Sequence, residues 1–366
     1  MSDSVARKTI MIAAGGTGGH VFPALAVAQG LRQHDLDIIW LGTRKGIESR
    51  VVPENDFVIH YIKVAGIRGK NIISWITAPL LLLWAIVKVA ILIIKTKPVC
   101  VLGMGGFASA AAGFAAFITG TPLLLQEQNA VAGTTNKLLA PLAEKIFTGF
   151  PDVFSALAKA DSKVEFSGNP LREGLYQIAE PQDRIKQDDS PLRVLILGGS
   201  LGARALNQVM PFALAQQSMA IEITHQTGRS DIEQVQKNYL DAGVDAQVIS
   251  FIEDMATAYA NADLVVARAG ALTVSELAAV GVAAVLIPYP YAIDDHQSVN
   301  ADYLVQAGAA TKVDQAEFDI DKAREVLQTL LGDRAQLLTK AINARSFATP
   351  AATRTIVDVC REYAYV

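Results

Sequence analysis

The chain has 366 residues, 51% hydrophobic and 19% charged, with a formal net charge of -4. That length exceeds one ordinary core and suits two domains, and the slightly acidic balance excludes a whole-chain electrostatic binder of nucleic acid. Residues 1–8 are polar and lead straight into an apolar run, so no secretory signal is expected. The two cysteines, Cys100 and Cys360, lie far apart in sequence and are read as buried free thiols rather than a disulfide.

The first apolar run, residues 9–14, predicts a strand. Gly15-Gly16-Thr17-Gly18-Gly19-His20 follows, and then Ala24, Val27, Ala28 and Leu31 recur at helical spacing, with Pro23 suited to a first turn. Strand, glycine loop and helix in that order offer free backbone N–H groups to an anion. No Gly-Lys-Ser/Thr follows, so this is not a Walker loop, and the spacing misses the dinucleotide fingerprint. A plain strand–helix turn is the alternative. Strand-like runs continue at 37–42, 57–64, 99–103, 122–126, 145–148 and 163–166, most of them separated by helix-length segments. Such alternation predicts a parallel sheet with helices on both faces.

The stretch 72–94 is almost wholly apolar, with Lys88 its only charge. Three readings fit it. By length it could span a bilayer, although that would part the strand at Val99 from its sheet partners. It could be a buried crossover helix. The favoured reading is a helical region resting in a membrane interface, with Trp75 and Trp84 at that depth and Arg68, Lys70, Lys88, Lys95 and Lys97 meeting anionic headgroups.

After Ser167-Gly168-Asn169-Pro170 and a polar stretch at 180–190, the plan restarts. A strand at 193–197 runs into Gly198-Gly199-Ser200-Leu201-Gly202 and a helix with Leu206, Val209, Met210 and Ala213 on one face. Further strands are expected at 221–224, 247–251, 263–267 and 283–287. Two doubly wound domains facing a cleft are the expected architecture.

Three further constellations sit where open α/β sheets bind ligands, at the carboxyl ends of strands. They are Gly103-Met104-Gly105-Gly106-Phe107, Gln126-Glu127-Gln128-Asn129, and the run from Ala267 to Glu276. In the last, a glycine turn, a helix N-terminus and the Thr273 hydroxyl suit a phosphate. Glu276, about one turn inside the helix, suits the two hydroxyls of a ribose instead. Its plain alternative is a favourable charge on the helix dipole, worth a few tenths to about 1 kcal/mol. Asp294 and His296 hint at a metal, but too few ligands gather there to assert a site.

These motifs together, with Glu127-Gln128-Asn129, Ser167 to Pro170, Gly198 to Arg204 and Ala271 to Glu276, resemble the undecaprenyl-diphospho-muramoylpentapeptide β-N-acetylglucosaminyltransferases of peptidoglycan synthesis. The resemblance runs through essentially the whole chain. It implies a GT-B glycosyltransferase fold: an acceptor and membrane-binding domain at 1–170, a UDP-GlcNAc-binding domain at 171–351, and a C-terminal helix at 352–366 packed back on the first. The implied reaction moves GlcNAc from UDP-GlcNAc, with inversion, to the C4 hydroxyl of the MurNAc of lipid I, giving lipid II. Donor-site residues carried over are Thr17, Gly18, Gly19, Asn129, Arg172, Ser200, Ile252, Ala271, Leu272, Thr273, Val274, Ser275, Glu276 and Gln297. Uracil meets backbone near Ile252, ribose meets Glu276, phosphates meet Ser200 and Thr273, and Gln297 reaches the sugar. His20 or Glu127 is the general base, and the sequence leaves that choice open, with binding of the acceptor's diphosphate as the other role for His20. No tightly bound cofactor is implied; stimulation by a divalent cation stays open. The implied place is the cytoplasmic face of the bacterial inner membrane, held peripherally on anionic lipid, with cell-wall synthesis and division proteins as potential partners and no nucleic acid. The rival readings are a UDP-GlcNAc 2-epimerase and a non-catalytic sugar-nucleotide-binding subunit.

Overall fold

The computed structural model describes residues 7–63, 72–155, 163–199, 202–215, 217, 219–291 and 295–365, with the side chains of 72–78 left aside. The chain divides into two compact units, Met1–Arg172 with Ala351–Val366, and Glu173–Pro350.

The first unit holds β1 (Thr9–Ala13), α1 (Gly18–Arg32), β2 (Asp37–Gly42), α2 (Glu48–Glu54), β3 (Val58–Tyr61) and α3 (Ile72–Thr96). It continues with β4 (Cys100–Gly103), α4 (Gly106–Thr119), β5 (Leu123–Glu127), α5 (Thr134–Leu139), β6 (Lys145–Thr148) and β7 (Val164–Phe166). All pairings are parallel, in the order β3-β2-β1-β4-β5-β6-β7. Alternate residues of β1 feed two cores, as the period of a strand requires. Ile10 and Ile12 join Trp40, Leu102 and Leu124 beneath α1, while Met11 and Ala13 join Leu41, Val101 and Leu125 beneath α3 and α4. With helices on both faces, the sheet is doubly wound.

The second unit repeats this with α6 (Pro181–Arg184), β8 (Leu192–Leu197), α7 (Arg204–Leu214), β9 (Ile221–Gln226), α8 (Ile232–Asp241), β10 (Gln247–Ile249) and α9 (Met255–Ala260). Then come β11 (Leu264–Ala267), α10 (Ala271–Val280), β12 (Ala283–Leu286), α11 (His296–Gln306), β13 (Ala310–Lys312), α12 (Ile320–Leu331) and α13 (Arg334–Ser346). The sheet is again parallel, in the order β10-β9-β8-β11-β12-β13.

The last helix, α14 (Ala352–Tyr365), belongs to the first unit and packs on α1. Gly30 makes the approach close, since a Cβ there would stand 2.8 Å from the Val357 side chain. Cys100 on β4 and Cys360 on α14 are both buried and unoxidised, and they lie in one core. The Cys100 thiol beside it, together with burial, holds the Cys360 thiol well above its usual pKa.

Residues 79–96 of α3 are long and apolar enough to cross a membrane, yet only 17% of that window is buried. The topology argues against a crossing. The chain enters α3 from β3 and leaves it into β4, strands of one sheet, so both ends of the helix belong to one packed layer. Ala85, Val89 and Ile93 form its buried stripe, facing the core. On other faces Leu80, Leu83, Trp84, Val87, Ile91 and Ile94 are exposed, an apolar surface that no described element covers. Trp75, Arg68 and Lys70 lie outside the residues described at this level.

Candidate functional site

In the first unit, connections run outward in opposite directions from β1 and β4, so the gap between these two strands is the switch point where open α/β sheets take ligands. The glycine loop after β1 and the loop after β4 both end there. A buried carboxylate braces the first: Glu48 accepts hydrogen bonds from Gly16 N–H (2.9 Å), Thr43 N–H (2.8 Å) and the Thr43 hydroxyl (2.8 Å). A Cβ at Gly15, Gly42 or Gly46 would collide with that side chain. Thr17, extended and exposed, then starts α1, and Gly18 and Gly19 supply its first N–H groups.

His20, half-buried in the first turn of α1, has its Nδ1 2.9 Å from Gln128 Oε1. Behind it runs a buried chain of amides. Gln128 Nε2 donates to the Met104 carbonyl (2.9 Å) and to Gln126 Oε1; Gln126 Nε2 donates to Asn169 Oδ1 (3.0 Å); Asn169 Nδ2 donates to the Gln128 carbonyl (2.9 Å). Glu127 faces elsewhere and is 2% exposed. Its Oε1 accepts from Asn129 N–H (3.0 Å) and Asn129 Nδ2 (3.2 Å), and its Oε2 from Gly133 N–H (2.9 Å) and Asn136 Nδ2 (2.8 Å). Four donors on one buried carboxylate describe a brace for the loop that leads into α5. Arg172, exposed, has its guanidinium 4.9 Å from the centroid of the Phe22 ring.

In the second unit the switch point lies between β8 and β11. Gly270 caps α10 in an extended conformation, and the first intrahelical bond is Val274 N–H to the Gly270 carbonyl at 3.0 Å. The N–H groups of Ala271, Leu272 and Thr273 therefore precede the helical ladder, at the positive end of the helix dipole. One turn on, Glu276 accepts a 3.0 Å hydrogen bond from the hydroxyl of Tyr259, a fully buried residue of α9. Burial, then the Glu276 charge, pushes the Tyr259 phenol far above its usual range, so it stays a donor. Ile252, 7% exposed, lines a groove of about 500 Å³ with Phe251, Glu253, Thr257 and Asn261. Gln297, in the first turn of α11, accepts from Tyr289 N–H (2.9 Å). Arg268 holds the same loop by donating to the carbonyls of Ile287 (3.0 Å) and Pro288 (3.2 Å), and its other terminal nitrogen donates to Gln315 Oε1 (2.5 Å) beyond β13.

Beneath the loop after β8 sits a polar cluster built on the buried Asn207, His225 and Tyr239. Asn207 Nδ2, at the start of α7, donates to the Thr227 carbonyl (3.0 Å) and to Asp231 Oδ2 (2.9 Å). Its Oδ1 therefore accepts from His225 Nε2 (3.2 Å), and His225 Nδ1 accepts from the Tyr239 hydroxyl (3.0 Å). Burial drives the His225 pKa down to about 3, so this ring is neutral and structural.

Two family descriptions match in succession: the N-terminal domain of glycosyltransferase family 28 over residues 10–148, and the C-terminal domain of that family over 193–355. The UDP-N-acetylglucosamine--N-acetylmuramyl-(pentapeptide) pyrophosphoryl-undecaprenol N-acetylglucosamine transferase of Cupriavidus pinatubonensis is 45% identical over 360 residues, 98% of this chain and 99% of that protein. The chain belongs to glycosyltransferase family 28. The crystal structure of Acinetobacter baumannii MurG matches family-28 architecture here with a TM-score of 0.83 at 39% identity, over 97% of this chain and 99% of that one. A UDP-GlcNAc 2-epimerase from Neisseria meningitidis aligns at a TM-score of 0.67 and 15% identity, over 97% of this chain and 100% of that one, a likeness of fold alone. The two Rossmann-like units are thus the GT-B plan of a family-28 glycosyltransferase.

Against that family frame, the expected residues fall into two groups. Thr17, Gly18, Gly19, His20 and Asn129 gather around the first unit's switch point, with Arg172 near the start of α1 through Phe22. Ala271 to Glu276 and Gln297 cluster at the carboxyl edge of the second sheet, while Ile252 sits in the groove beside α9. Val274 is wholly buried and Ala271 nearly so. Ser200 and Asp294 lie outside the described residues. Among the described residues, no three His, Cys, Asp or Glu side chains gather to hold a metal. Sequence reasoning missed Glu48 and Tyr259. The three glycines packed around Glu48 were a signal for the first; nothing local marked the second.

Proposed function

We infer that this family-28 enzyme transfers GlcNAc from UDP-GlcNAc to the C4 hydroxyl of the MurNAc of lipid I, forming lipid II. The observation that carries this reading is the full-length likeness, at 45% identity, to a transferase named for that donor and acceptor. In the second unit, the carboxylate of Glu276 takes the ribose hydroxyls, Ile252 lies beside the base, and the first N–H groups of α10 with the Thr273 hydroxyl face the diphosphate. Negative charge growing on the leaving UDP is met there by fixed N–H dipoles, which need no reorganisation as the bond breaks. In the first unit, His20 removes the proton of the attacking hydroxyl. We assign this role to His20 and not to Glu127, whose carboxylate is taken up by four donors.

The acceptor's lipid stays in a bilayer while its sugar reaches the protein, so the first unit rests on the membrane. Its exposed apolar residues on α3, with Phe107, Phe117 and Ile118 on the neighbouring α4, supply the contact. Lys88, Lys95 and Lys97, all exposed, meet anionic headgroups.

Product analysis tests the whole reading. Incubation with UDP-GlcNAc and a lipid I analogue should give UDP and a β-1,4-linked disaccharide lipid, with no conversion of UDP-GlcNAc when the acceptor is absent. Acceptor-independent formation of UDP-ManNAc would make the protein an epimerase, and binding without turnover would make it a carrier.

A further inference from the structure

We propose that Gln128 is a positioning residue that fixes His20 in its Nδ1-protonated tautomer and so presents Nε2 as the proton acceptor; this rests on the reading of His20 as the base. The argument needs only the direction of each hydrogen bond. A backbone carbonyl can only accept, so the Gln128 atom 2.9 Å from the Met104 carbonyl is the NH2 group. The amide oxygen of Gln128 is then the atom facing His20 Nδ1 at 2.9 Å. Two acceptors do not bond, so Nδ1 carries the hydrogen and the neutral ring keeps its lone pair on Nε2.

The orientation of Gln128 is itself held from behind. Its NH2 group also donates to Gln126 Oε1, the Gln126 NH2 donates to Asn169 Oδ1, and the Asn169 NH2 ends on the Gln128 carbonyl. Carbonyls of the main chain thus fix the first and last amides of the run, and turning any one of the three around breaks two contacts. None of the three is more than 1% exposed, so water does not compete for these groups.

The backbone closes the same edge of the ring. Gly105, at φ +92°, packs so tightly that a Cβ would stand 2.9 Å from both Nδ1 and Cε1 of His20. Nε2, by contrast, has no hydrogen-bond partner among the described residues. When the O–H bond of the acceptor's C4 hydroxyl breaks, its proton passes to Nε2 and the oxygen's electron pair forms the new bond to the anomeric carbon, while the anomeric C–O bond to UDP breaks and its electron pair leaves on the diphosphate. The resulting imidazolium keeps its Nδ1–H on Gln128, a hydrogen bond that strengthens as the ring becomes charged.

Long-range proton–nitrogen spectra of the full chain, labelled with 15N-histidine, read the tautomer directly. His20→Gln identifies the His20 signal among the five histidines. An unprotonated Nε2 and a protonated Nδ1 are expected in the neutral ring; the reverse pattern overturns the proposal whatever His20 does. Gln128→Met removes the acceptor and should mix the tautomers, lowering kcat roughly tenfold to a hundredfold with the KM for UDP-GlcNAc unchanged. A Gln128→Met enzyme that keeps both the wild-type tautomer and its kcat refutes the positioning role. A wild-type Nδ1–H ring together with a fully active His20→Gln refutes the base assignment instead and leaves the tautomer assignment standing.

Discussion

Replacing His225 by Gln should flatten the acid side of the second unit's stability curve, and the size of the effect follows from burial. The ring is wholly buried between Asn207 and Tyr239, and its pKa falls from the ordinary 6.5 to about 3. Folding therefore excludes a proton that the unfolded chain takes up. The stability tied to the neutral ring is fully present above pH 6.5 and is lost progressively as pH falls towards 3. Between pH 7 and pH 5 a single unfolded-state histidine of pKa 6.5 accounts for about 2 kcal/mol of that loss. A glutamine amide can still donate to Asn207 and accept from Tyr239, so the variant should fold, weaker by roughly 1–3 kcal/mol at pH 7. It should nonetheless lose about 2 kcal/mol less than the natural protein on going to pH 5. Trp40, Trp75 and Trp84 all lie in the first unit, so urea unfolding of the second is better followed by hydrogen exchange of β8 and β9 peptides. Equal losses in both proteins between pH 7 and pH 5 would refute the reasoning, because every other titrating group cancels in the difference.

The fold was open to reading because its signals are local. Continuous apolar runs ending in glycine or polar residues mark strands β1, β4, β5, β8 and β11, and the helices between them are periodic. The strand β13 escaped, since a buried alanine followed by two half-buried polar residues at a sheet edge makes too short a signal. The site was legible where chemistry sits beside a loop: His20 follows the glycine loop and Glu276 lies one turn into a helix. What organises those residues was not. His20 meets Gln128 across 108 positions, Glu276 meets Tyr259 across 17, and Gly16 meets Glu48 across 32. Each pairing exists only because parallel strands bring separate loops to one sheet edge, and a single sequence does not encode which loop side chains will then face one another. The same holds for Cys100 and Cys360, far apart in the chain and neighbours in the core. Glu127 is a further case: the sequence offers it as one of two candidate bases, and the four hydrogen bonds on its buried carboxylate are not legible there.

Glu276→Ala should weaken UDP-GlcNAc binding by about 1.5–3 kcal/mol, and by less for 2′-deoxy or 3′-deoxy donors, by competition binding; equal losses for all donors would mark a structural role. Tyr259→Phe should weaken donor binding by a smaller factor and raise no barrier in the chemical step, as kcat at saturating donor will report. His20→Ala should lower kcat roughly a hundredfold or more with donor affinity kept, whereas Glu127→Ala should chiefly lower the thermal midpoint by loosening the loop before α5. The last prediction concerns the uncovered face of α3. Leu83, Trp84 and Ile91 are exposed there, while Ala85, Val89 and Ile93 hold the helix to its core, so the exposed face can be changed without touching the buried stripe. Changing Leu83, Trp84 and Ile91 to Ser should release the protein from anionic vesicles, since burial contributes about 25 cal/mol per Å² of apolar surface. Changing Lys88 and Lys95 to Glu should remove about 1 kcal/mol per charge close to the surface, and only this part should fade in high salt. The Lys88 ammonium lies 3.9 Å from the centroid of the Trp84 ring, so the two sets share one contact patch and their effects should not add. Sedimentation with vesicles, run beside turnover of a soluble acceptor, separates docking from catalysis. Variants that unfold, or that sediment as the natural protein does, would return the exposed face to the role of core and end the membrane reading.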